Sequence, residues 1–156
     1  KSTLVNKLDK LNEIVSGDIG QWIIWAGLDA ESKAAAKLPD AVEVEGSDSL
    51  EFKVDSLEQF QDGKIRVLVT KPKIAGFGMN FQNAHNMVFL GINDSWETFY
   101  QCIRREWRYG QTKPVNVYII MHDAEAEIYH NILRKYAMAR RLKMKLIEQI
   151  QVYEKE

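Results

Sequence analysis

One cysteine and three histidines in 156 residues remove several explanations at once. Cys102 has no partner for an internal disulfide, which suits a reducing, intracellular setting. His85, His122 and His130 stand at no metal-type spacing, so a zinc centre has nothing to rest on. No run of about 18 apolar residues occurs, and no membrane-spanning helix is expected. No signal-peptide pattern opens the chain. It begins at Lys1 without a methionine, as a piece of a longer polypeptide does. A phosphate loop, Gly-x-x-x-x-Gly-Lys-Ser/Thr, is also missing. Lys1-Ser2-Thr3 offers only the tail of one, without the glycines and the strand such a loop needs, and reads as a helix cap. The small net charge, −1, argues against a protein that coats nucleic acid generically.

What is present is enough for one packed domain. The chain is 46% hydrophobic and rich in aromatic residues. Its charge is uneven: residues 1–102 hold 10 Lys/Arg and 15 Asp/Glu, residues 103–156 hold 11 and 7. A basic second part can place one positive face on the fold. Leu4, Leu8, Leu11, Ile14 and Val15 repeat at helical spacing up to Gly17. The apolar run Gln21–Ala26 reads as a buried parallel strand. Ala30–Leu38 is helical, with Asp29 as its cap and Pro39 closing it. Val42–Val44 is a short strand. Ser49–Gln61 is a helix with Leu50, Val54, Leu57 and Phe60 on one side. Ile65–Thr70 and Asn86–Leu90 are strands, with a glycine-containing loop, Lys71–Gly78, between them. Val115–Met121 is a further strand, and one or two long helices follow from Ala124. Strands alternating with helices, and apolar throughout, predict an α/β fold with a mainly parallel sheet covered on both faces. In such sheets ligands gather at the carboxyl ends of the strands. That rule places Ala26–Gly27, Thr70–Gly78 and the approach to the next helix on one edge.

Two stretches carry chemistry. The first is QCIRREWRYGQ, Gln101–Gln111. The spacing predicts a helix from Ser95 to Tyr109, stopped by Gly110, with Tyr100, Ile103 and Trp107 on its apolar face. Cys102 lies beside that face as a small, partly buried residue. Arg105 and Arg108 then project from adjacent turns, and their planar forks suit phosphate oxygens. Taken alone, such a pair is most often a solvated helix face. The second stretch is AGFGMNF, Ala75–Phe81. Gly76 and Gly78 permit a close approach of backbone N–H groups to an anion. Taken alone, they are a plain turn.

Together, in this order and about 25 residues apart, these stretches resemble motifs V and VI of superfamily-two helicases and translocases. The frame Gln-x-x-x-Arg-x-x-Arg-x-Gly-Gln is most similar to the Swi/Snf-type branch. Trp22–Ala26 resembles motif IV, and His122–Ile128 resembles the acidic helix start after the last strand. The likeness covers about residues 20–130. Ala75 stands where the branch has a first glycine, and Cys102, Arg104 and Trp107 depart from chromatin remodellers. GFGMNFQ with RREWRYGQ is most similar to phage and prophage helicases.

The resemblance implies a single RecA-like three-layer α/β/α domain, residues 1–156. Its core is about 20–122, with an N-terminal helix over 1–17 and C-terminal helices over 124–156. It implies the second motor lobe of a DNA helicase or translocase. The phosphate loop and acidic box that bind most of ATP and Mg²⁺ would lie on an N-terminal RecA-like lobe of the same polypeptide, so this chain alone would not hydrolyse ATP. Arg105 and Arg108 would be the catalytic arginines, with Gln101, Gly76 and Gly78 shaping the nucleotide side. Thr70, Lys71 and Lys73 would contact the DNA backbone. The setting would be the cytoplasm of a bacterial or phage-infected cell, with no membrane partner. A domain of another class, a non-catalytic nucleic-acid-binding or adaptor module on the same fold, is the alternative. A small-molecule enzyme on a doubly wound sheet lacks an acid–base pair. Trp96 and Trp107 could stack on bases but suit core or interface packing better. Arg140, Arg141, Lys143 and Lys145 suit a solvated helix face.

Overall fold

A computed structural model describes residues 2–77, 79–91, 96–121 and 125–155. Among these residues are five strands and five α-helices, alternating except that a 3-10 helix stands between the third and fourth strands. The strands are β1 (Trp22–Trp25), β2 (Ala41–Glu43), β3 (Val67–Thr70), β4 (Asn86–Phe89) and β5 (Asn116–Ile119). They form one parallel sheet in the order β2-β3-β1-β4-β5. The helices are α1 (Ser2–Ser16), α2 (Asp29–Ala35), α3 (Leu50–Gln61), α4 (Trp96–Arg104) and α5 (Ala126–Lys155).

The central strands are buried at every position, and apolar at all but Thr70 and Asn86, because both faces are packed. Side chains alternate across a strand. Ile23, Trp25, Leu68, Met87 and Phe89 therefore enter one core with Leu57 and Phe60 of α3 and Cys102 of α4. Trp22, Ile24, Val67, Val69 and Val88 enter the other with Leu11 and Val15 of α1 and Ala35 of α2. Each fully buried aromatic or aliphatic side chain contributes about 1.5–3 kcal/mol of transfer free energy. The edge strands are less covered: β5 alternates exposed and half-buried residues.

Helix boundaries follow local chemistry where caps are strong. Ser49 Oγ accepts the N–H of Phe52 at 3.1 Å and starts α3. Leu57 and Phe60 of α3 are buried, but Leu50 is 65% exposed and Val54 37%, so the inner face is narrower than the spacing predicts. Asp29 is the first residue of α2 and not its cap; Leu28 holds the cap position, and Glu31 reaches back to accept its N–H at 2.9 Å. The loop after β3 is a 3-10 helix, Pro72–Phe77.

The largest departure concerns α4, which ends at Arg104 and not at Tyr109. The N–H groups of Arg105 and Glu106 bond three residues back, to Cys102 O and Ile103 O, at 3.2 Å each. This tightens the last turn. The carbonyl of Arg105, which a continuing helix would offer to Tyr109, instead accepts the N–H of Phe81 at 2.6 Å. Arg105–Gly110 is consequently a turn, and Trp107 leaves the core to stand 57% exposed. Ser95, the expected cap, and His122–Ala124 lie outside the described residues. So do the side chains of Trp96, Lys143 and Lys145, and those of Leu142, Leu146, Ile147 and Ile150. No helix among the described residues is long and apolar enough to cross a membrane.

Candidate functional site

Two places gather polar chemistry, at opposite ends of α4. The first is a cleft of about 770 Å³ at the carboxyl ends of the strands. Gly27, Lys71, Lys73, Gly91 and Phe99 are among its lining residues. Its floor is backbone, because the ends of β1 and β4 nearly touch. A Cβ on Gly91 would stand 3.1 Å from Gly27 Cα and 2.6 Å from Glu31 Oε1. Under this seam Lys7 Nζ donates to Glu31 Oε2 at 3.0 Å and to Leu90 O at 2.9 Å, and pairs with Glu125. Burial disfavours the Lys7 ammonium, but its hydrogen bonds to Glu125 and Glu31 prevail and hold its pKa above the usual lysine value. Glu31 also accepts the N–H groups of Gly27 and Leu28, at 3.2 and 2.9 Å. One ammonium thus joins α1, α2, the end of β4 and the start of α5. Its partners lie too far apart in sequence for any local pattern to announce them.

Of the residues expected to touch nucleic acid, Lys71 and Lys73 line this cleft and Thr70 does not. Lys71 is paired with Asp29, whose carboxyl is held below its usual range by that hydrogen bond. Lys73 is exposed. Thr70 is 1% exposed, and its Oγ1 donates to Val44 O at 2.9 Å. The hydroxyl expected to meet phosphate satisfies a neighbouring carbonyl in the buried strand, as buried polar groups must.

The second place is the arginine turn. Arg105 and Arg108 do not line the strand-end cleft, although Thr98 and Phe99 at the other end of α4 do. Nine residues of helix separate the two ends by about 13 Å. Gln111 Nε2 donates to Ala84 O at 2.7 Å, just before β4 begins. The turn therefore sits near the starting ends of the strands, while Gly91 and Thr98, on either side of the approach to α4, line the strand-end cleft. It is pinned to the segment that follows the glycine motif: Arg105 Nη1 donates to Met79 O at 3.3 Å, beside the Phe81–Arg105 backbone bond. Gly76 lies in the 3-10 helix, Gly78 lies outside the described residues, and Gln101 is exposed on α4.

The electrostatics of the turn are unusual. Arg105 and Arg108 are half-buried, and neither pairs with a carboxylate among the described residues. Arg105 Nε is buried without a partner among the described residues. Burial, and then the nearby charge of Arg108, lower the pKa of Arg105. Glu106 between them is fully buried, with both carboxylate oxygens unpartnered among the described residues. Burial pushes its pKa up to about 9, so it carries its proton at neutral pH and neutralises neither arginine. Gln111 Nε2 bonds Glu106 O at 3.0 Å, and Gly110 turns the chain at φ 96°. Two guanidinium groups without a counter-ion among the described residues fit an anion supplied from outside. Among the described residues no group of three His, Cys, Asp or Glu could hold a metal ion.

Comparison with known proteins agrees with this framework. The helicase conserved C-terminal domain model matches residues 6–110. The bifunctional helicase and thymine dioxygenase JBP2 of Leishmania infantum is 33% identical over 100 residues, 61% of this chain and 9% of that protein. Helicase SWR1 of Mycosarcoma maydis is 29% identical over 107 residues, 68% of this chain and 6% of that protein. The chain thus spans under a tenth of these relatives. The C-terminal part of the Fun30 ATPase domain superposes with a TM-score of 0.72 at 22% identity, covering 81% of this chain and 44% of that one. The C-terminal domain of the DEAD-box protein Dbp5 does so with a TM-score of 0.70 at 18% identity, covering 85% and 79%. The matched segment runs from α1 through the arginine turn, and the chain belongs to the helicase conserved C-terminal domain family, as a C-terminal lobe of the superfamily-two kind.

Proposed function

We propose that this chain is the second motor lobe of an ATP-dependent DNA helicase or translocase. The observation that carries the reading is the pair Arg105 and Arg108, unanswered by any described carboxylate and held on a turn bonded to Met79 and Phe81. A guanidinium already desolvated and fixed gains more from a phosphate than a flexible one does. In this reading both arginines stabilise charge that develops on the γ-phosphate. Met79–Phe81 positions them, and Gln101 meets the nucleotide from the exposed face of α4. ATP, with Mg²⁺ held mainly by a first lobe on the same polypeptide, supplies the phosphoryl group. Lys73, and Lys71 once it leaves Asp29, grip nucleic-acid phosphates at the other end of α4. Opening and closing between lobes then converts hydrolysis into movement along DNA. A phage or prophage origin, in the cytoplasm of a bacterial cell, rests on the wording of the two motifs.

The test joins this chain to its own first lobe and measures DNA-stimulated ATP hydrolysis. The expected result is activity that Arg105→Ala and Arg108→Ala each abolish, with negligible hydrolysis by this chain alone. Normal turnover in both variants refutes the assignment. Salt-sensitive DNA binding by this chain, with no phosphate loop encoded upstream, would favour the non-catalytic adaptor instead.

A further inference from the structure

Trp107 has the spacing of a packing residue, yet it stands 57% exposed, and Tyr109 beyond it 102%. Among the described residues neither ring meets another aromatic ring or a cation. Tyr100, seven residues before Trp107, is already covered by the Arg104 guanidinium at 5.6 Å. The backbone under the two exposed rings is fixed. Trp107 N–H donates to Ile103 O at 3.0 Å, and Gln111 N–H to Arg108 O at 3.0 Å. A single exposed apolar side chain needs no explanation. Two aromatic faces held in water on a rigid turn, interleaved with Arg105 and Arg108, are another matter. A π-face receives a nucleobase, and a guanidinium fork receives the phosphates joined to it.

We propose that Trp107, flanked by Tyr109, is a stacking platform for the base of the nucleoside triphosphate whose phosphates meet Arg105 and Arg108. The proposal rests on the motor reading of those arginines. A base in a single strand offers the same chemistry from another source. Position favours the free nucleotide, because the candidate backbone-gripping lysines line a cleft at the far end of α4.

The experiment uses the intact polypeptide that carries this chain and measures equilibrium binding of Mg·ATP, of magnesium tripolyphosphate and of a single-stranded oligonucleotide. Trp107→Ala is expected to weaken ATP about tenfold and leave tripolyphosphate unchanged. Trp107→Phe, which keeps an aromatic face, recovers ATP affinity to within about threefold. ATP quenches tryptophan emission in the wild type, and that component is missing in Trp107→Phe. Loss of affinity for both phosphate ligands alike, for neither, or for the oligonucleotide alone overturns the proposal. Failure of the motor reading is seen separately, as Arg105→Ala leaving tripolyphosphate binding intact.

Discussion

The strand-end cleft and the arginine turn are both rich in charge, but they treat it in opposite ways. In the cleft Lys7 is answered by Glu31 and Glu125, and Lys71 by Asp29. Those charges hold the chain's own elements together. At the turn Arg105 and Arg108 meet no described carboxylate, and the one acid between them, Glu106, stays protonated in the interior. The difference teaches how to tell a structural charge from one kept for a ligand: desolvation without an internal partner points outward. Lys73, exposed at the cleft, is the residue that crosses this division.

Variants can break or sharpen the contrast. The largest effect belongs to the turn. Arg105→Ala should lower the hydrolysis rate of the joined lobes by about 10³–10⁵, or roughly 4–7 kcal/mol of barrier, while barely changing the folding stability of this lobe in denaturant titration. In the cleft the pattern reverses. Lys7→Met leaves the buried Glu31 and the half-buried Glu125 without their shared ammonium and should cost about 3 kcal/mol of stability. Because the Lys7 pKa is raised on folding, that stabilisation is present in full below the unfolded lysine value, about 10.5, and is lost as pH rises through the folded one. The variant's stability curve should lack this alkaline decline.

Glu106→Gln tests the buried acid. Its folded pKa lies above the unfolded value, so the folded state binds the extra proton between about pH 4.5 and 9. Wild-type stability should fall across that window by about 1 kcal/mol per pH unit. The variant should lose that slope and be the more stable protein at pH 8, with little difference at pH 5. Smallest is the cleft comparison of Thr70 with Lys73. Thr70→Val removes a buried hydrogen bond and should cost about 1 kcal/mol of stability with DNA affinity unchanged. Lys73→Ala should leave stability alone and reduce the salt dependence of DNA binding by about one phosphate contact.

Much of the layout was legible from the chain. Val67–Thr70 is apolar through Val69 because both sheet faces are covered, and Ser49 starts α3 through a local bond. Both signals live within a few residues. The frame from Gln101 to Gln111 predicts helix through Tyr109, but α4 ends at Arg104. The helix is cut short by a bond from Phe81, 24 residues away, and helical periodicity cannot register such a competitor. The same limit hid Lys7: leucines at helical spacing surround it, and its role depends on Glu31 and Glu125, which only the fold brings near. At Thr70 residue type suggests a hydroxyl donor but not the direction in which it donates.

The single sulfhydryl on α4 has a practical consequence. Cys102 is fully buried, and burial lifts its pKa to about 12, so almost none of it is thiolate near neutrality. A dye-bearing maleimide should pass it by. Lys113→Cys, at an exposed position just beyond the turn, could then be labelled selectively on this lobe without first removing the native one, giving a fluorescence-transfer reporter of how closely a neighbouring lobe approaches.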